Sequence, residues 1–192
     1  LDPRTQILIQ AEKLFSRYGY RKTTVAEIAK AAGMAKGSIY LHFSSKQDIL
    51  AGLTRVFLES LAAEIETRLN GSKPPLQRLA ECLELMVDTA VEGRNRLIKA
   101  SLPPDLDLIG KIVEVHQAFQ PRITAILARA LQSARSQGLT AADPERLAWL
   151  FSEMLFNIKM RLGPDPEFDY RHYLEGWLET VFPEAQSRES NG

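Results

Sequence analysis

Apolar side chains recur along this chain at helical rather than strand spacing. Ile7, Leu8, Ala11, Leu14, Phe15 and Tyr18 fall on one stripe, which predicts an amphipathic helix closed by Gly19, a residue that tolerates the positive φ of a C-cap. Thr24 and Glu27 have capping-box spacing, so a second helix starts at Val25 and ends at Gly33. A third, short helix spans roughly 35–41. Ser45 and Asp48 fit another start signal, and Ile49, Leu50, Leu53, Phe57, Leu61, Ile65 and Leu69 then carry a long fourth helix. Beyond the NGSKPP turn, Pro75 opens a fifth, with Leu76, Leu79, Leu83, Met86, Val87 and Ala90 on its apolar face. The polar stretch from Gly93 to Pro104, ending in two prolines, reads as a loop.

Leu108, Ile109, Ile112, Val113, His116 and Phe119 predict a sixth helix, which Pro121 is expected to break or kink. Ile123, Ile126, Leu127, Ala130, Leu131 and Ala134 predict a seventh, closed by Gly138. Asp143 followed by Pro144 opens an eighth that runs to Gly163. Tyr170, Tyr173, Leu174, Trp177, Leu178 and Val181 form a ninth, and residues 186–192 read as a flexible tail. No segment alternates long enough for a sheet and no repeat of fixed period occurs, so the expected fold is all-α with about nine helices.

Composition narrows the class. At 192 residues, 45% hydrophobic and 25% charged, the chain has the mix of an ordinary globular protein. Its one cysteine, Cys82, allows no intrachain disulfide and no cysteine-based zinc cluster, and reads as a small buried hydrophobe. No metal and no cofactor are expected. The apolar runs are too short to span a bilayer and the N-terminus shows no signal-peptide core, so the expected location is cytoplasmic, away from membranes.

Net charge is zero, yet unevenly distributed. Residues 1–55 carry nine basic and four acidic side chains, a net of +5, and the rest carries −5. The basic segment suggests a polyanionic partner for the first quarter of the chain.

The informative block is Thr23–Leu50. Two short helices flank a tight turn at Gly33, Ala29 is small where the helices approach, and Ile28, Ala32 and Ile39 can pack on the first helix. This is the arithmetic of a helix-turn-helix whose second helix enters the major groove. Lys36, Gly37 and Ser38 leave the N-terminus of that helix slim, so backbone can approach base edges and phosphates. Tyr40 and His42 add polar tips at its far end, and Lys46 opens the fourth helix.

Thr24, Ile28, Ala29, Ala32, Gly33, Gly37, Ile39, Tyr40, His42, Phe43, Ser45, Lys46 and Leu50 together resemble the signature of TetR/AcrR-type transcriptional regulators. The resemblance implies that Thr24 binds a phosphate and that Lys36, Ser38 and the Gly37 backbone face the bases. It implies that Tyr40, His42 and Lys46 anchor to the sugar-phosphate backbone. One departure stands out. The family opens its recognition helix with Ser or Thr, whereas this chain has Ala35. The missing cap costs about 1 kcal/mol of local stability.

The implied organisation is a DNA-binding domain over 1–47 and an effector-binding and dimerisation domain over 48–185. In the predicted eighth helix Leu147, Leu150, Phe151, Met154, Leu155 and Ile158 cover one face, and Trp149, Phe156 and Met160 add apolar surface elsewhere. A helix apolar nearly all round needs partners on several sides. With Tyr173, Trp177 and Val181 of the ninth it makes a candidate four-helix homodimer interface around a two-fold axis. Candidate effector-pocket residues are Phe57, Leu61, Leu83, Met86, Val113, His116, Phe119 and Met154, whose apolar and polarisable character suits an apolar or amphipathic small molecule.

The functional expectation is a ligand-responsive repressor that binds a double-stranded operator, an inverted repeat, and releases it when the effector binds. The rivals are a protein-interaction adaptor that keeps the fold without operator binding, and an enzyme. The enzyme reading has little to work with: three scattered histidines, one cysteine, and no HExxH, GxSxG or P-loop pattern.

Overall fold

Helix α1 (Pro3–Tyr18) starts where Asp2 accepts a hydrogen bond from the Thr5 amide at 3.1 Å with proline in the first turn, and stops at Gly19, φ 85°. In this computed structural model, residues 1–98, 106–138, 140 and 142–161 are described, with 172, 176, 180 and 182 individually. The elements that follow are α2 (Val25–Ala31), α3 (Lys36–Tyr40), α4 (Lys46–Leu69), α5 (Pro75–Ile98), α6 (Leu106–Ser136) and α7 (Pro144–Arg161). All regular structure among the described residues is helical. No helix among them is long and apolar enough to cross a membrane.

The chain divides into two compact units: residues 1–60 with 92–119, and residues 61–91 with 120–192. In the first, Ile7, Leu8, Ala11 and Phe15 of α1 meet Ile28 and Ala29 of α2, Ile39 of α3, and Ile49, Leu50 and Leu53 of α4. Leu108 of α6 joins this core, and Ile112 packs against it. A smaller cluster of Ala51, Leu58 and Val115 is backed by Phe119. Gly52 permits the close approach: a Cβ there would lie 3.0 Å from the Phe43 ring and 3.1 Å from a Leu8 methyl.

The second unit buries Leu61, Ala62, Ile65, Leu79, Cys82, Leu83 and Met86 from α4 and α5. It also buries Ile126, Leu127 and Leu131 of α6 with Leu147 and Phe151 of α7. Here α6 and α7 are also tied by Thr124 to Ser152 (3.0 Å) and Gln120 to Glu153 (3.3 Å).

Three expectations need correction. Pro121 lies inside α6, so the predicted sixth and seventh helices are one. An interior proline costs about 3 kcal/mol. Here Ile123, Ile126, Leu127 and Leu131 resume the buried face beyond it and offset that cost. The segment expected as a loop from Gly93 is helical to Ile98, because α5 continues past its glycine; residues 99–105 lie outside the described residues. Tyr18 is half exposed rather than part of the core stripe. The turn at Gly19 inserts Tyr20 instead, which is buried and meets Phe15 edge-on at 5.2 Å. The predicted ninth helix, apart from single positions, and the tail 186–192 lie outside the described residues.

Candidate nucleic-acid interface

Between α2 and α3 the chain turns through a glycine cap. Gly33, φ 67°, donates to the Lys30 carbonyl at 3.2 Å, and Met34 donates to Ala29 at 2.9 Å. These two bonds close the last carbonyls of α2 in a Schellman arrangement that only a positive-φ residue makes at low cost. Ala35 then caps α3 with no side-chain hydrogen bond. The first bond of the new turn is the Ser38 amide to the Ala35 carbonyl, 3.0 Å.

Helix α3 buries one residue, Ile39, completely. Lys36 and Gly37 are exposed and Ser38 is half-buried. Nothing lies within 4 Å of where a Gly37 Cβ would sit, so the slim N-terminus faces open space. Tyr40 and His42 are exposed as well, and Phe43 turns back into the core. Leu41, between them, is 82% exposed. Sequence reasoning passed over it. The signal was its position two residues after Ile39, about 200° round the helix from the buried face.

Thr24 caps α2 in a complete capping box. Its hydroxyl accepts from the Glu27 amide at 3.2 Å and donates to the Glu27 carboxylate at 2.9 Å. That carboxylate accepts from the Thr24 amide at 2.7 Å, which holds it below the usual range for glutamate. Thr23, absent from the expected site, is buried and donates to the Gly19 carbonyl at 3.0 Å and the Leu14 carbonyl at 3.3 Å. Lys46, the first residue of α4, donates to the carbonyls of Tyr20 and Thr23, each at 2.9 Å, and of Arg21 at 3.4 Å. The structure thus brings Lys36, Gly37, Ser38, Tyr40 and His42 together on and beside α3, while Thr24 and Lys46 engage neighbouring protein groups. Arg4, Lys13, Arg17, Arg21, Lys22, Lys30, Lys36 and Arg55 are all exposed, so the charge excess of residues 1–55 lies at the surface.

Residues 7–53 match the family described as bacterial regulatory proteins, tetR family. Those residues, with α1, α2, α3 and the start of α4, are what this chain shares with that family. It is 35% identical over 120 residues to the HTH-type transcriptional regulator AcrR of Shigella flexneri, an alignment covering 61% of this chain and 55% of AcrR. The chain therefore spans little more than half the length of that relative. With the HTH-type transcriptional regulator TtgR of Pseudomonas putida it shares 27% identity over 194 residues, 93% of this chain and 89% of TtgR. Thermus thermophilus FadR, a TetR-family transcriptional repressor solved with lauroyl-CoA, has the same fold: TM-score 0.65, 22% identity, 90% of each chain covered.

Of the candidate pocket residues, Phe57, Val113, His116 and Phe119 lie in the first unit. Phe57 and Val113 are exposed, and His116 Nδ1 lies 2.9 Å from the Ile112 carbonyl. Leu61, Leu83 and Met86 are buried in the second unit; the side chain of Met154 lies outside the described residues. A groove of about 460 Å³ in the second unit has other walls, among them Leu69, Ile126, Arg78, Arg129 and Glu66. Arg129 pairs with Glu66 at 2.7 Å, and Arg78 donates to the Leu69 and Gly71 carbonyls.

On α7, Trp149 is 54% and Leu150 44% exposed, while Leu147 and Phe151 are buried. The remaining candidate interface side chains, Phe156, Met160, Tyr173, Trp177 and Val181, lie outside the described residues.

Proposed function

We propose that this chain is a DNA-binding transcriptional regulator, a repressor whose operator affinity is lowered by a small effector. The observation that carries the reading is α3 with the two residues after it: Ile39 is buried while Lys36, Gly37, Tyr40, Leu41 and His42 are exposed in one short stretch. A slim, cationic helix start followed by aromatic and imidazole tips suits base edges and then sugar-phosphate backbone. Lys36, Ser38 and the Gly37 backbone read bases; Tyr40 and His42 hold the backbone; Thr24, with Glu27 displaced, adds a phosphate contact.

Residues 1–47 form the DNA-binding head and 48–185 the effector and dimer body. The adjacent exposed side chains Trp149 and Leu150 support a homodimer, which presents two heads to an inverted-repeat operator. An apolar or amphipathic effector is supported by the acyl-CoA held by the T. thermophilus neighbour. It acts by favouring a conformer whose heads are badly spaced for the operator. Gel shift with DNA from upstream of its own gene tests the reading. A shifted band on that DNA and none on scrambled DNA is expected; equal shifts on both overturn it.

A further inference from the structure

Of the nine basic side chains in residues 1–55, Lys46 alone is not exposed. Its ammonium has three N–H donors. The carbonyls of Tyr20 and Thr23 at 2.9 Å and of Arg21 at 3.4 Å converge on it. The Tyr20 ring centroid lies 4.4 Å away and adds a cation–π contact. A phosphate reaching this nitrogen would have to displace one of those carbonyls.

We propose that Lys46 is a positioning residue: it clamps the α1–α2 loop to the start of α4 and so fixes how α3 is presented to DNA. The two ends it joins, Thr23 and Lys46, enclose the whole segment that contains α2 and α3. At one end Thr23 is followed directly by Thr24, the cap of α2. At the other, α4 is closed by the Ser45 hydroxyl, which accepts from the Asp48 amide at 3.1 Å. Asp48 in turn accepts from the Ser44 amide at 2.9 Å. Loss of the ammonium leaves carbonyls of a part-buried loop without their donor and frees both ends of the segment.

The inference rests on the DNA-binding reading, and two variants test it. Lys46→Met keeps the aliphatic stem without charge or donors. Lys46→Arg keeps the charge, but its planar fork cannot serve carbonyls gathered round one atom. Operator affinity is measured by anisotropy across a salt series, well below each variant's melting temperature, and amide exchange is followed at residues 20–24. A clamp predicts that both variants lose affinity at every salt concentration, by roughly tenfold. It also predicts an unchanged salt slope and loss of amide protection in the loop.

A phosphate contact predicts that Lys46→Met flattens the slope by about 0.9 while Lys46→Arg restores binding, and that outcome overturns the proposal. So does a lower melting temperature with unaltered affinity. If neither variant folds, the Lys46 ammonium protons of the wild type decide by NMR. Slow exchange that persists on adding DNA supports the clamp; a signal that shifts on DNA binding overturns it. Amide exchange and the ammonium signal of the free protein are read without DNA, so failure of the clamp is distinguishable from failure of the DNA-binding reading.

Discussion

The Thr24 hydroxyl accepts from the Glu27 amide at 3.2 Å while the Glu27 carboxylate accepts from the Thr24 amide at 2.7 Å, so each residue closes a backbone donor of the other. Replacing Thr24 with Ala should cost about 1 kcal/mol, read in urea unfolding. The carboxylate lies below its ordinary value of 4.5, chiefly through the Thr24 amide and then its hydroxyl. A depressed carboxylate stabilises the fold above its unfolded value, and that contribution disappears as pH falls through the folded value. Glu27→Gln should therefore flatten the loss of melting temperature on acidification below pH 4.5. An identical profile in wild type and variant would count against the cap.

Gly52 and Gly37 should respond oppositely to alanine. Both gain helix propensity of up to about 1 kcal/mol. At Gly52 the new Cβ lies 3.0 Å from Phe43 and 3.1 Å from Leu8, both buried, and overpacking of that kind costs about 1–3 kcal/mol. Gly52→Ala should be less stable than wild type. Gly37→Ala meets nothing within 4 Å, so it should be at least as stable, yet bind the operator less tightly because the slim start of α3 is filled. Chemical denaturation and DNA titration of the same two proteins separate the effects.

Trp149 and Leu150 leave adjacent apolar side chains on the surface of α7. Buried interface tryptophans are typical anchors, worth about 2 kcal/mol or more on truncation. Trp149→Glu should shift the sedimentation mass from dimer towards monomer at micromolar concentration and weaken operator binding in parallel. A monomeric wild type would contradict the homodimer, and an unaltered dimer in the variant would place the interface elsewhere.

Burial pushes the Cys82 thiol up to about 11, and its sulfur lies 3.8 Å from the Ile65 carbonyl. At pH 8 about one thiol in a thousand is then thiolate, the reactive form. A disulfide reagent should label Cys82 only on unfolding, with labelling rates that follow urea concentration. Rapid stoichiometric labelling of the native protein would contradict its buried placement.

Local chemistry made much of this molecule legible in its sequence. Gly19, Gly33, the Thr24–Glu27 pair, Ser45 with Asp48 and Asp143 with Pro144 each mark an element end by a hydrogen bond or a φ value that neighbouring residues determine. What escaped depended on groups distant in sequence or, at Tyr20, on a turn that breaks the helical register. Pro121 stays helical because residues after it find buried positions in the second unit. Tyr20 replaces Tyr18 in the core because the chain turns sharply at Gly19 and Phe15 supplies the facing ring. Lys46 is expected at the sugar-phosphate backbone, but it donates to carbonyls that lie 23 to 26 residues away.

The central claim is that α3 recognises DNA by sequence. Its most direct test is anisotropy of the intact protein on DNA from upstream of its own gene and on a scrambled duplex, across a salt series, with Lys36→Ala and Tyr40→Ala alongside. Tight binding to the first duplex that weakens as salt rises, and that both substitutions abolish while the variants keep wild-type melting and mass, is the predicted result. Equal affinity for both duplexes, no salt dependence, or wild-type binding by the substituted proteins would contradict it.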